Sequence, residues 1–170
     1  MRHFVVTASS RFGFASISIF GSSNTDCSRD DIPVVDRDLV LRKLSDLARY
    51  IDQVSEYRHI SPEEYREDWK SQRIIERTLQ VAIEACVDVA SHMIADRGLP
   101  VPATYAEVFD VIAQAGLTDP ELRVAMVRMT RFRNIIVHEY TRIDPDIVVD
   151  ILRNHLDDFT RFRTAALGWR

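Results

Sequence analysis

A chain of 170 residues, 46% of them hydrophobic and 28% charged, is long enough to close one compact domain around a buried core. No run approaches the ~18 uninterrupted apolar residues of a membrane span, so no membrane partner is expected. The net charge of −4 argues against a protein that coats nucleic acid nonspecifically, but it leaves room for a local basic site.

Met1 to Asp31 is rich in Ser, Thr, Asn and Gly and carries no helical period. Residues 1–33 are therefore read as a poorly ordered extension and residues 34–170 as the folded domain. The apolar stretch Phe12 to Phe20 invites comparison with a signal sequence, but serines dilute it and no small-x-small cleavage site follows. Patterned sequence begins near Val34 and Val35, which would suit a natural start there. Cys27 and Cys86 have neither the number nor the spacing of a disulfide framework or a zinc site, which points to a reducing compartment and hence the cytoplasm.

From Asp36 onward the pattern is helical throughout. Asp36 can cap a first helix carrying Val40, Leu44, Leu47, Ile51 and Val54 at spacings of three and four. Ser61-Pro62-Glu63-Glu64 combines an N-cap serine, a first-turn proline and a glutamate three residues on. The helix it opens, kinked or restarted near Trp69, continues through Ile75, Leu79, Ile83, Cys86, Val89 and Met93 until Gly98 and Pro100 stop it. Apolar residues wrap more than one face of 74–94, which makes that stretch the candidate for a dimer seam as well as an internal core. Thr104 to Glu107 reads as a second capping box, for a short helix ending at Gly116. Asp119-Pro120 opens a helix with Leu122, Met126, Met129 and Ile136 on its buried side, and Asp144-Pro145 opens a last one with Val148, Leu152, His155, Phe159 and Phe162 in one stripe. Short connections and the absence of βα alternation predict an all-α, up-and-down antiparallel bundle of four to five helices.

The chemistry concentrates in Arg133-Asn134-Ile135-Ile136-Val137-His138-Glu139-Tyr140. An arginine grips phosphate through a planar fork that lysine lacks, and histidine exchanges protons near neutrality. Arg123, Arg128, Arg131 and Arg142 add a basic neighbourhood, with Arg128, Arg131 and Arg142 as candidate phosphate or RNA contacts. These groups suffice to cleave RNA without metal or other cofactor: His138 takes the 2′-hydroxyl proton, a second imidazole protonates the leaving 5′-oxygen, Arg133 neutralises the phosphoryl oxygens, and Asn134 orients a partner group. On an ideal helix Arg133 and His138 diverge by about 140°, while Asn134 and His138 share a face. Either the helix ends near His138, or a two-fold dimer brings two copies of the motif together over one RNA strand; the dimer also supplies the second imidazole. An Arg-x4-His spacing is weak evidence alone. His3, His59, His92 and His155 have no such context and read as structural or surface groups, and Tyr140 by default as a half-buried aromatic.

Taken as a set, Arg133-Asn134-x3-His138-x-Tyr140 resembles the signature of the HepT-like toxins of the HEPN superfamily. The segments Glu84 to His92, Tyr105 to Phe109 and Ala115 to Leu117 are similar to the family's preceding helices, so the resemblance spans about Asp36 to Phe162. It implies a homodimeric helical bundle with a composite ribonuclease site using Arg133 and His138. It also implies a cognate nucleotidyltransferase antitoxin that transfers AMP to Tyr140, adding charge and bulk beside the catalytic histidine. Asp88 matches an acidic position of the family, with its role left open. Thr130-Arg131-Phe132 stands where smaller residues often precede the motif, a departure that would narrow a cleft. The alternative reading is a non-catalytic helical module that binds and assists a partner nucleotidyltransferase.

Overall fold

The computed structural model describes residues 37–138 and 143–169. The expectations for the N-terminal extension, for Cys27 and for the Asp36 cap lie outside them, as do those for Tyr140 and Arg142.

Helix α1 (Arg37–Ser55) buries Leu44, Leu47, Ile51 and Val54, the face that its spacing predicts. α2 (Pro62–Glu67) starts with the full reciprocal box: Ser61 Oγ accepts from the Glu64 N–H at 3.1 Å, and the Glu64 carboxylate accepts from the Ser61 N–H at 2.8 Å. That backbone N–H holds the Glu64 carboxyl below its ordinary range. Asp68 then both closes α2 and caps α3 (Trp69–Asp96), accepting from the Lys70 N–H at 3.0 Å and the Ser71 hydroxyl at 2.6 Å. The helix restarts at Trp69, as its sequence suggests.

α4 (Tyr105–Gln114) is capped by Thr104, which accepts from the Glu107 N–H at 3.2 Å. The second half of the expected box is displaced by one residue, since the Glu107 carboxylate takes the Ala103 N–H at 2.7 Å. Gly116, at φ +72°, supplies the left-handed turn that lets the Leu117 N–H close back on the Ile112 carbonyl at 2.9 Å. α5 (Pro120–His138) begins under Asp119, whose carboxylate accepts from the Leu122 N–H at 2.8 Å.

The last arm differs from its expected form. α6 (Pro145–Asp150) passes through a π-helical turn, Ile151–His155, before α7 (Leu156–Leu167). A π turn carries an extra residue and so shifts the phase of the apolar stripe. The buried set becomes Val148, Leu152, Leu156, Phe159 and Phe162, and His155 moves to the rim between Asp158 at 3.2 Å and Asp150 at 3.4 Å.

Cross-links fix the helix directions. Lys43, early in α1, pairs with Asp88, late in α3, at 2.6 Å. Arg163, late in α7, donates to the Leu44 carbonyl at 3.2 Å, while Arg58, just past α1, meets Asp157 at the start of α7 at 3.0 Å. α1 therefore runs antiparallel to both α3 and α7. Two of the helices, α2 and α6, are six-residue pieces, so the bundle has five arms: α1, α3, α4, α5 and α6–α7.

α3 is the central helix, packed on α1, α2, α4, α5 and α7. Ala85, Val87, Val89, Ala90 and Ile94 are buried within the single chain, so the internal-core part of the wrapped apolar pattern over 74–94 comes from neighbours on several sides of α3. By length and composition alone α3 could cross a membrane, but over half of its apolar window is covered by the other helices. One edge of the core is closed by edge-to-face rings, Phe109 on Phe162 and Phe162 on Trp169, with the Trp169 indole N–H donating to the Leu117 carbonyl at 2.8 Å.

Candidate active site

The motif occupies the last turns of α5. Phe132 and Thr130 point into the core, and that burial sets the phase of the helix. Arg131, Asn134 and His138 consequently lie on the exposed side, whereas Arg133 is turned toward α3 and half-buried. Of Thr130-Arg131-Phe132, the two flanking residues are buried in the chain's own core and Arg131 reaches the surface.

Arg133 is held from two directions, and the carboxylate that holds it is itself fixed. Its Nη2 and Nε both donate to Glu84 Oε1 of α3, at 2.7 and 3.1 Å. The guanidinium carbon lies 5.0 Å from the centre of the Tyr105 ring, at the start of α4. Gln80, one turn before Glu84, donates to the same oxygen at 3.0 Å. The Arg133 side chain keeps 17% of its surface exposed and Glu84 29%, so the pair is partly desolvated but open to a ligand.

Sequence reasoning missed Glu84, Gln80 and Tyr105 as members of this cluster. A signal for Glu84 was present: a lone carboxylate inside Val81-Ala82-Ile83-Glu84-Ala85-Cys86-Val87 requires a cationic partner. Nothing local named Arg133 as that partner, 49 residues away.

The wider basic neighbourhood is smaller than its arginine count suggests. Arg123 is tied to Asp110 at 2.6 Å and Arg133 to Glu84. Arg128 and Arg131 are exposed on α5, and neither has an ion-pair partner among the described residues. Arg128 also borders a groove of about 480 Å³ between α5 and the α6–α7 arm, alongside Met129, Phe132, Ile151 and His155. Arg133 and His138 do not line it. Asp88 is bound to Lys43 at 2.6 Å across α1 and α3. Cys86 is fully buried, and burial pushes its thiol well above the ordinary range, so it is an inert core residue. Among the described residues no group of three or more His, Cys, Asp or Glu side chains is placed to hold a metal ion. The arrangement offers an anchored cation and, on the same helix, an exposed imidazole, groups chemically able to hold a phosphate and to exchange a proton.

Comparison with known proteins identifies the family. The profile of the HepT-like ribonucleases (Ribonuclease HepT-like) matches residues 47–166. The mRNA nuclease HepT of Shewanella oneidensis is 30% identical over 125 residues, spanning 74% of this chain and 93% of that protein. The tRNA nuclease HepT of Aphanizomenon flos-aquae is 29% identical over 110 residues, 65% of this chain and 75% of its own length. Among solved structures, the tri-AMPylated Shewanella oneidensis HEPN toxin in complex with its MNT antitoxin superposes with a TM-score of 0.71 at 28% identity, covering 77% of this chain and 98% of that one. The cytosolic protein YutE of Bacillus subtilis, of unknown function, shares the fold alone, with a TM-score of 0.69 at 13% identity, over 79% of this chain and 90% of its own. With a helical bundle of this topology and a family profile covering most of its length, the chain belongs to the HepT-like ribonuclease family of HEPN proteins.

Proposed function

We propose that this chain cuts RNA in a cleft shared by two copies, with Arg133 and His138 as the catalytic residues and Asn134 in support. The reaction class is that of its family, a ribonuclease toxin of a toxin–antitoxin pair. The observation that carries the site assignment is the division of labour on α5: Arg133 is clamped by Glu84 over Tyr105, while His138 stays exposed. An imidazole kept for packing would be turned inward; this one is left where a substrate can reach it.

The reaction balances without a metal. The 2′-hydroxyl gives its proton to one His138 imidazole while its oxygen bonds to the adjacent phosphorus. The bond from phosphorus to the 5′-oxygen breaks, and that oxygen takes a proton from the imidazolium of the second copy. Arg133 stabilises the charge on the non-bridging oxygens. Arg128 and Arg131 would contact phosphates further along the strand. The two HepT relatives are named for different RNAs, so the shared feature is the scissile ribose-phosphate and not one sequence. On this reading the chain would act in the cytoplasm, where a toxin meets cellular RNA.

By analogy with the AMP-bearing relative, a nucleotidyltransferase antitoxin silences this chain by joining the α-phosphorus of ATP to the Tyr140 hydroxyl, with pyrophosphate leaving. The added phosphate sits two residues from His138 and repels RNA. The test is cleavage of an RNA oligonucleotide by the purified chain. His138→Ala is expected to cut ~10²–10⁴-fold more slowly than wild type with an unchanged unfolding midpoint. Equal cleavage by both would overturn the assignment of His138, and no cleavage by either would leave a nucleotidyltransferase-binding module. In the companion assay with antitoxin and ATP, Tyr140→Phe should take up no AMP; full labelling would refute the acceptor.

A further inference from the structure

A guanidinium can form paired hydrogen bonds along two edges: a side edge made by Nε and one Nη, and an end edge made by both Nη atoms. In Arg133 the side edge is occupied, with Nε at 3.1 Å and Nη2 at 2.7 Å from Glu84 Oε1. Glu84 is itself fixed, since Gln80 donates to that oxygen at 3.0 Å. The Tyr105 ring, 5.0 Å from the guanidinium carbon, sets the plane. What remains is the end edge, with a hydrogen on each of Nη1 and Nη2 for a second, parallel pair of bonds. A neighbouring carboxylate weakens the pull of a cation on any anion, so Glu84 does not serve phosphate affinity. Its geometry serves direction.

We infer that Glu84 is the positioning residue of this site: it grips Arg133 by the side edge so that the end edge meets the scissile phosphate in one fixed orientation. The inference rests on the ribonuclease reading above. A fixed pair of donors distinguishes the two non-bridging oxygens of a phosphodiester, which are not equivalent in a chiral site. Wild type should therefore prefer one phosphorothioate diastereomer, Rp or Sp, at the cleavage position. Loosening Arg133 should erode that preference.

The experiment compares wild type with Glu84→Ala, Glu84→Asp and Glu84→Gln on an RNA oligonucleotide carrying an Rp or Sp phosphorothioate at the scissile linkage. Side-chain NMR of the Arg133 Nε–H accompanies it. Glu84→Ala should lower kcat about tenfold or more without raising KM, shrink the Rp/Sp ratio severalfold, and remove the protected Nε–H signal. Glu84→Asp, which keeps the charge but withdraws the acceptor by one methylene, should also shrink the ratio, and it carries the test if the alanine variant does not fold. Glu84→Gln keeps an acceptor at the same reach and should restore most of the ratio. A slower Glu84→Ala or Glu84→Asp enzyme with the wild-type ratio would overturn the proposal, because a mere loss of folded protein leaves the ratio untouched. So would unchanged rates, or the same loss of the ratio in Glu84→Gln. If His138→Ala cleaves equally well, the assignment of His138 fails; if wild type cleaves nothing, the ribonuclease reading fails instead. The NMR arm then decides alone: an Nε–H signal indifferent to Glu84→Ala overturns the grip.

Discussion

Arg133→Lys separates a planar donor fork from a simple positive charge. Arginine brings five N–H donors, of which Glu84 takes two, one from Nε and one from Nη2. A lysine ammonium can still face Glu84 and still lie over Tyr105, but its three hydrogens leave one atom in diverging directions. It cannot hold the carboxylate and present two parallel donors to a phosphate. If one such donor is lost in the transition state, the barrier rises by ~2.7–4 kcal/mol, about 10²–10³-fold in rate. Stability should shift by less than about 1 kcal/mol, because the pair keeps its charges and is partly solvent-screened, at 17% and 29% exposure. The assay is single-turnover cleavage of an RNA oligonucleotide with enzyme in excess, beside urea unfolding of both proteins. Cleavage within about threefold of wild type would show that Arg133 acts only as a point charge. A large drop in the urea midpoint would show that the arginine's main task is to hold α5 against α3.

Two further outcomes test the scaffold. Asp119 is held below the ordinary aspartate range, chiefly by the Leu122 backbone N–H and then by Arg161 nearby. A depressed carboxyl stabilises the fold fully above the unfolded pKa, near pH 4, and loses that contribution as pH falls through the lower folded value. Urea midpoints measured from about pH 7 down to pH 3 should therefore decline more shallowly for Asp119→Asn, which caps without titrating, than for wild type; parallel declines would refute this. Phe159 is fully buried on α7, and Phe159→Ala should cost ~3–5 kcal/mol in urea unfolding, with a loss under about 1 kcal/mol meaning that the core closes over the gap.

What the sequence makes legible here is local. Ser61 with Glu64, Thr104, Asp119 and Gly116 each satisfy helix-end groups within a few residues, so their spacing suffices to place α2, α4 and α5. The buried face of α1 follows from its 3.6-residue period. What is not legible depends on distant neighbours. The π turn at Ile151–His155 leaves no composition mark; it answers a packing demand that Leu156 and Phe159 face the core together, and it expels His155 from the stripe. The wrapped apolar pattern of α3 cannot distinguish a partner chain from five surrounding elements of its own. Within the candidate site, the Arg133 and His138 identities are legible, whereas the Glu84 grip is a tertiary contact that no window of sequence contains.

That grip bears on why the proposed reaction would need two copies. On α5 the directions of Arg133 and His138 differ by about 140°, and their rise along the axis by about 7.5 Å. Arg133 cannot swing toward His138 without releasing Glu84 and leaving a partly buried carboxylate unpaired. A single α5 therefore spreads its cation and its imidazole, and one chain alone would grip a phosphate without reaching its leaving oxygen. A two-fold axis close to the end of α5 removes the conflict, because the guanidinium of one copy can then face the imidazole of the other while each keeps its own Glu84 contact. On the proposed reading, an AMP on Tyr140 would add its charge to a cleft that both histidines share.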